Sequence, residues 1–135
     1  MSKSAIYVVN SASQAVVEDG TINPGTVIRK FGQNINLAGT GIQIAGPGYY
    51  DLETSITMAP TAEGQVTVTA CLDNVAIPGA VATETAAAAG DYVNLSFHAL
   101  VRQGCYCCDG LNTITFVLSD GGATITNIST IVEKI

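Results

Sequence analysis

Charged residues are scarce in this sequence, and their scarcity limits what the protein can bind. Only 12% of the 135 residues are Asp, Glu, Lys or Arg, whereas about 25% is usual in soluble domains. The five basic residues are scattered apart from the pair Arg29-Lys30, and the formal net charge is −6. Nucleic acids and anionic membrane surfaces are bound through clusters of Lys and Arg. The composition therefore argues against both kinds of partner.

Histidine and catalytic motifs are also nearly absent. His98 is the only histidine, whereas a metal-dependent jelly-roll enzyme needs several histidines on inward-facing strand positions. The sequence has no Gly-x-Ser-x-Gly motif that would support a Ser-His-Asp triad. We therefore predict no enzymatic activity and no cofactor, and we expect His98 on an outward or interface face.

Long apolar runs are missing as well. The apolar stretch near the N-terminus is too short for a signal peptide, and no stretch is long enough to cross a bilayer. We therefore expect synthesis in the cytoplasm without a signal peptide. Hydrophobic residues nonetheless make up 47% of the chain, and few charged residues remain for its surface.

A homo-oligomer interface is the simplest explanation, because it would bury part of that apolar surface. The alternative is a surface made polar by uncharged Thr, Ser, Asn and Gly.

Short alternating stretches separated by turn residues predict an all-β fold, in a single domain over residues 1–135. The clearest alternation runs over 49–58, with Tyr50 and every second residue after it facing the core. Asp73-Asn74 and Pro78-Gly79 are predicted turns, and the alanines at 86–89 are too few for a stable helix. Further strands are predicted over 5–10, 14–18, 26–30, 33–37, 41–45, 65–73, 75–77, 80–85, 91–102, 112–119 and 123–135.

The last predicted strand is apolar on both faces. Simple alternation places Ile125 and Ile131 on one face, and Ile128 and Val132 on the other. Such a strand is usually buried on both faces, which predicts a partner subunit over one of them. The alternative is a bulge that changes which side chains point inward.

Three stretches carry a family resemblance. They are Gly48-Tyr49-Tyr50-Asp51-Leu52, Leu72-Asp73-Asn74-Val75-Ala76-Ile77-Pro78-Gly79, and the closing segment from Ala123 to Ile135. In their order and spacing, the chain resembles the tumour-necrosis-factor-like and complement-globular-head-like jelly rolls. It is most similar to their small bacterial and phage relatives, such as exosporium-glycoprotein tips and phage head decoration or head-fibre proteins. The resemblance implies a two-sheet antiparallel jelly-roll sandwich of about ten strands.

The resemblance also implies a non-enzymatic homotrimer whose closing strand lies beside the threefold axis. The residues expected in the trimer interface or the core are Tyr50, Phe97, Phe116, Ile125, Ile128, Ile131 and Val132. No collagen repeat or coiled-coil heptad precedes the domain, so a free-standing trimer is favoured over a stalk tip. The implied partners are further copies of the chain and a capsid or coat lattice protein, or else a host surface glycan or receptor.

The four cysteines are Cys71, Cys105, Cys107 and Cys108. Cys105 and Cys108 have the C-x-x-C spacing of redox and zinc sites, and Cys71 or His98 could add a further zinc ligand. A disulfide with Cys71 is a second alternative. Free thiols without a chemical role are favoured, because the cytoplasm keeps thiols reduced.

The resemblance implies a structural protein whose homotrimer decorates a phage capsid or a similar surface, as a head decoration or head-fibre protein of the virion. The alternative is a receptor- or glycan-binding tip domain of a phage fibre, or of a bacterial spore or cell-surface protein. In that alternative, Tyr106 and the loop at 86–90 are the candidate contacts.

Overall fold

The computed structural model describes residues 3–103 and 111–135, which form β-strands joined by turns. Every strand pairing among them is antiparallel. None of these residues forms an apolar helix of the length that a bilayer crossing requires. The strands are β1 (Ala5–Asn10), β2 (Gln14–Val16), β3 (Thr21–Ile22), β4 (Thr26–Phe31), β5 (Ile35–Ala38), β6 (Gly41–Ala45), β7 (Gly48–Pro60), β8 (Gly64–Leu72), β9 (Val75–Ala86), β10 (Val93–Gln103), β11 (Leu111–Ser119) and β12 (Ala123–Lys134).

The strands form two sheets, which confirms the predicted antiparallel jelly-roll sandwich. The first sheet has the order β10-β7-β12-β1-β4, and β2 also pairs with β12. The second sheet has the order β5-β6-β11-β8-β9, and β3 also pairs with β11. Neighbours in each sheet are mostly distant in sequence, so the pairing depends on long-range contacts.

Side-chain alternation in β7 builds one wall of the core, as the sequence predicts. Tyr50, Leu52, Ile56 and Met58 are fully buried and Thr54 on the same face is nearly so, whereas the residues that alternate with them face away from the second sheet. Burial of one such side chain contributes about 1.5–3 kcal/mol relative to its exposure. A strand with one dry and one wet face is typical of an antiparallel sandwich.

Two aromatic side chains join the sheets across the core. Phe97 from the first sheet and Phe116 from the second have ring centroids 6.3 Å apart, within the range of favourable aromatic pairs. Tyr50 is buried in the same core, and its hydroxyl donates to the carbonyl oxygen of Ala45 at 2.6 Å. This bond satisfies a polar group that would otherwise be costly to bury.

The hairpin between β8 and β9 turns at Asp73-Asn74, as predicted. Both residues have positive φ, 51° and 69°. Two such residues between antiparallel strands are typical of a type I′ turn, and Asn and Asp tolerate this conformation better than other non-glycine residues.

The predicted turn at Pro78-Gly79 is wrong, because β9 continues through it. Thr69 pairs with Val81 and Cys71 pairs with Ala76, so the residues at 77–80 oppose a single residue of β8. They form an enlarged bulge of four residues against one, in which Gly79 takes a φ of 82°. An edge strand accommodates proline and such a bulge, since its outer side needs no ladder hydrogen bonds.

The prediction that β12 is apolar on both faces is also wrong. The register with β7 shifts between Ile125 and Asn127, so one extra residue reverses the alternation. Ile125, Ile128 and Val132 therefore all point into the core and are fully buried. Ile131 is the only one of the four isoleucines and valines in that prediction that faces outward.

The number of strands differs slightly from the prediction of about ten. The stretches predicted over 75–77 and 80–85 form one strand, β9, and the structure adds the two-residue strand β3. Strand β3 pairs with β11 only at Phe116 and Val117, which is too short for a sequence pattern to reveal.

The two ends of the described chain meet at the same end of the sandwich. The backbone N–H of Lys134 donates to the carbonyl oxygen of Ser4 at 2.8 Å, and that of Ile135 donates to Tyr49 at 3.0 Å. The Ser4 hydroxyl donates to the Asn34 side chain at 3.1 Å. These bonds fix both ends beside the β6–β7 turn.

A pair of threonine hydroxyls is buried between β7 and β12. Thr54 and Thr130 have hydroxyl oxygens 3.0 Å apart, and Thr54 also donates to the carbonyl oxygen of Ser129 at 3.2 Å. Thr130 is fully buried, and Thr54 is its hydrogen-bond partner. The hydroxyl of Thr130 therefore depends on Thr54.

We expect Thr54→Val to lower the free energy of unfolding by about 1–3 kcal/mol, because it leaves the Thr130 hydroxyl buried without a partner. Adding Thr130→Val should restore most of this loss, since both polar groups are then gone. Urea unfolding at one fixed protein concentration measures both effects. A double variant no more stable than the single variant would contradict this explanation.

Candidate functional site

The candidate site is the outer face of the first sheet, the face turned away from the second sheet. Strand register places its side chains in rows that cross all five main strands. One row contains Leu100, Asp51, Glu133, Ala5 and Phe31, and the next contains His98, Glu53, Ile131, Tyr7 and Arg29. The two rows therefore combine apolar side chains, carboxylates, the guanidinium of Arg29 and the imidazole of His98.

Large apolar side chains lie exposed on this face. Leu100 is 58% exposed and Ile131 is 43% exposed, and Tyr7 lies half-buried in the same row as Ile131. A shallow groove of about 280 Å³ runs between Tyr7 and Ile131. It is lined by Tyr7, Glu53, Thr54, Ser55, Ser129 and Ile131. We call Tyr7, Leu100 and Ile131, together with Asp51, Glu53 and Glu133, the outer-sheet patch.

The carboxylates of the patch are close together without a described counter-charge. Asp51 and Glu133 are direct cross-strand partners, and Glu53 lies on the same face two residues after Asp51. Directly opposed like charges destabilise a sheet. Neither Asp51 nor Glu133 has an ion-pair partner within residues 3–103 and 111–135. The isolated chain therefore carries an unfavourable pair at the centre of this face.

His98 is exposed on the outer face, in agreement with the expectation from the sequence. Its cross-strand partner is Glu53. Cys71 lies on β8 of the other sheet, so the structure does not bring these two candidate zinc ligands onto one sheet. In the part of the chain that the structure describes, no three His, Cys, Asp or Glu side chains are grouped to hold a metal ion.

The residues predicted for the interface or the core divide unequally between the two. Five of them are buried in the core, Phe97 packs against it from a half-buried position, and only Ile131 is well exposed. The five buried residues are Tyr50, Phe116, Ile125, Ile128 and Val132. Of this set, Ile131 alone is available to a partner on the outer face.

Sequence reasoning missed Leu100 and Tyr7 as surface apolar residues. In β10, Leu100 follows Ala99 and precedes Val101, both buried. Leu100 could have been identified from the alternation of β10, because it is a large apolar residue at a position where the pattern predicts an outward-facing side chain. The opposition of Asp51 and Glu133 had no such signal, since it depends on a register between distant strands.

Charge is distributed unevenly along the sandwich. Register places all five basic residues near the end where the chain termini meet. These residues are Lys3, Arg29, Lys30, Arg102 and Lys134. The turns at the opposite end carry only acidic charges, namely Glu18, Asp19, Glu63, Asp91 and Asp120. Asp51 and Glu133 also lie near the basic end, so that end carries charges of both signs, whereas the turns at the opposite end are only acidic.

Cys71 is a free, half-buried thiol on β8. Desolvation by burial raises the pKa of this thiol, which lowers its thiolate fraction at neutral pH. The predicted thiol cluster of Cys105, Cys107 and Cys108 lies outside the described residues, as does Tyr106.

Solved structures share this architecture over nearly its whole length. Murine APRIL superposes with a TM-score of 0.74 at 10% identity, covering 99% of this chain and 100% of that one. The globular domain of zebrafish complement 1qA gives 0.66 at 9% identity, covering 97% and 94%. The PRD1 vertex protein P5 gives 0.60 at 16% identity, covering 97% and 72%. The fold is a tumour-necrosis-factor-like jelly roll.

These identities are low, so the likeness establishes the fold and leaves function to the residues themselves. No protein-family model matches the sequence, and no curated protein matches it.

We expect the Cys71 thiol to react slowly with iodoacetamide at pH 8, because burial raises its pKa and restricts access to it. Unfolding the protein in urea should increase the rate on the order of tenfold. Mass spectrometry of the peptide that contains Cys71 measures this one site independently of the other cysteines. Equal rates in folded and unfolded protein would contradict the burial of Cys71.

Proposed function

We propose that this chain is a non-enzymatic structural protein that forms a homotrimer and decorates a phage capsid or a similar surface. The observation that carries the proposal is the outer-sheet patch, where exposed apolar side chains surround an uncompensated carboxylate pair. Both features are unfavourable in an isolated chain, and they become favourable when a partner covers the apolar side chains and brings a positive charge to the carboxylates.

The apolar part of the patch supports contact with another protein surface. Leu100 and Ile131 are exposed in neighbouring rows of one sheet face, so a single flat partner surface can cover both. Each Å² of apolar area removed from water contributes about 25 cal/mol. Because only 12% of the residues are charged, charge does little to prevent this apolar face from associating with other surfaces.

The carboxylates favour a second copy of the chain as that partner. Arg102 lies on the same outer face at the edge strand β10, where it pairs in register with Tyr49. It forms no ion pair within the described residues. A contact between the β10 edge of one copy and the patch of the next would bring Arg102 towards Asp51 and Glu133. Such head-to-tail contacts form a closed ring when the rotation from one copy to the next is a simple fraction of a full turn, as in a trimer.

A ring of three copies agrees with the family resemblance, in which compact homotrimers are the rule. The shared fold with a vertex protein of phage PRD1 supports a position on a virion. The absence of catalysis is supported by the single histidine, which is exposed and has a carboxylate, Glu53, as its cross-strand neighbour. Three equivalent contacts per trimer would add avidity on a repeating lattice without any strong individual contact.

We expect the protein to be a trimer in solution, and Ile131→Glu to convert it to a monomer. The new carboxylate would stand beside Glu53 and Glu133 and would have to be buried in the interface. Light scattering after size-exclusion chromatography distinguishes a 13.8 kDa chain from three chains, which make about 41 kDa. Val17→Glu is the matched control, because Val17 is 74% exposed and lies outside the patch.

Two results would count against this assembly. A wild-type protein that is monomeric at micromolar concentration would contradict the proposed trimer. A trimeric Ile131→Glu variant would place the interface on another face. A folded circular dichroism spectrum of the variant shows that it tests association and not folding.

The decorating role is tested on native particles. Electron cryomicroscopy of particles purified from the source of this chain should show a trimeric density on the outer capsid surface, and mass spectrometry should find the chain in the same fraction. Absence from the particles, together with specific binding on a glycan array, would instead support the receptor- or glycan-binding alternative.

A further inference from the structure

Strand β4 is an edge strand whose two faces are both exposed. All six of its residues are exposed, although three of them are large and apolar. Val27 is 40% exposed, Ile28 is 52% and Phe31 is 58%. Among the strands that the structure describes, β4 pairs with β1 alone and ends the order of the first sheet. Its other edge offers unpaired backbone groups to a partner.

The same strand carries the only adjacent pair of basic residues. Arg29 pairs in register with Tyr7 and Lys30 with Ile6, so their side chains point to opposite faces of the strand. Neither residue has an ion-pair partner within residues 3–103 and 111–135. Both faces of β4 therefore present one positive charge beside apolar surface, on a chain whose net charge is −6.

These charges disfavour a second copy of β4 as the occupant. An antiparallel β4–β4 pair would bring Arg29 and Lys30 close to their own copies, and opposed like charges destabilise a sheet. The register shift at Ile28, between the pairs of Tyr7 and Val8, also interrupts regular pairing. Charge and bulges of this kind protect edge strands from uncontrolled association. Protection alone, however, does not require Ile28 and Phe31 to be exposed.

We propose that β4 is a docking strand that accepts an extended segment of another protein, with acidic residues opposite Arg29 and Lys30 and apolar residues beside Ile28 and Phe31. The segment would add a strand to the first sheet. Backbone hydrogen bonds supply the affinity in this mode of recognition, and alternate side chains supply the specificity. The Arg-Lys pair selects an acidic segment and rejects a basic one.

The corresponding edge of the second sheet lacks these properties. Strand β5 has the sequence Ile-Asn-Leu-Ala, contains no charged residue and has Ile35 fully buried. It therefore supplies a matched control on the same protein. The docking strand does not depend on the trimer, because the outer-sheet patch lies mainly on β7, β10 and β12.

The test uses ¹⁵N-labelled full-length protein and two synthetic peptides. The probe is acetyl-Gly-Val-Glu-Asp-Val-Gly-amide, whose adjacent acidic side chains point to opposite faces of an added strand, as Arg29 and Lys30 do on β4. The control peptide replaces both acidic residues with Lys. The acidic peptide should shift the amide resonances of residues 26–31 and their β1 neighbours, and it should bind on the order of tenfold more tightly than the basic one. The double variant Arg29→Glu/Lys30→Glu should reverse this preference, whereas Asn36→Glu on β5 should leave it unchanged.

Binding of the acidic peptide to wild-type protein should also weaken in 0.5 M NaCl, because exposed ion pairs are screened. This measurement keeps the proposal falsifiable should the double variant not fold. The proposal is overturned if the acidic peptide leaves the resonances of 26–31 unchanged at millimolar concentration. It is equally overturned if both peptides bind alike, in which case Arg29 and Lys30 serve only to keep the edge unpaired.

Discussion

The pairing of β12 with its neighbours is the constraint on which the outer face depends. This strand lies at the centre of the first sheet and pairs with β1, β2 and β7. The bulge after Ile125 sets the phase of every later residue, so Ile128 and Val132 enter the core while Ile131 and Glu133 face outward. Without the extra residue, Ile131 and Glu133 would point into the core, and other residues of β12 would take their places in the outer-sheet patch. A local irregularity of the backbone thus defines a surface that spans several strands.

Much of the fold could be predicted from the sequence, because most strands keep strict alternation. The inward positions of Tyr50 and Leu52, and the turn at Asp73-Asn74, follow from local patterns of polarity and turn chemistry. The bulges in β9 and β12 could not be predicted in this way. Pro78-Gly79 has the composition of a turn, and only the pairing with β8 shows that the strand continues through it.

The candidate site was less predictable than the fold. The sequence pointed to Ile131 among seven candidates, but it gave no sign that Asp51 and Glu133 are neighbours. Their proximity results from a register between residues that are far apart in the chain, and register is a property of the whole sheet. The exposure of β4 could not be predicted from the sequence for a related reason. Whether a strand lies at the edge of a sheet depends on the order of the strands and not on composition.

The position of the chain ends has a practical consequence. Because Ser4 and Lys134 are joined by a backbone hydrogen bond, a segment fused to either terminus would leave the sandwich beside the basic residues. The acidic turns at the opposite end would stay accessible. The domain could therefore present those turns while it is attached through either terminus. The same proximity means that a short linker could join the two ends and that new termini could be opened in an exposed turn. The protein is thus suited to serve as a display scaffold with one attached end and one presented end.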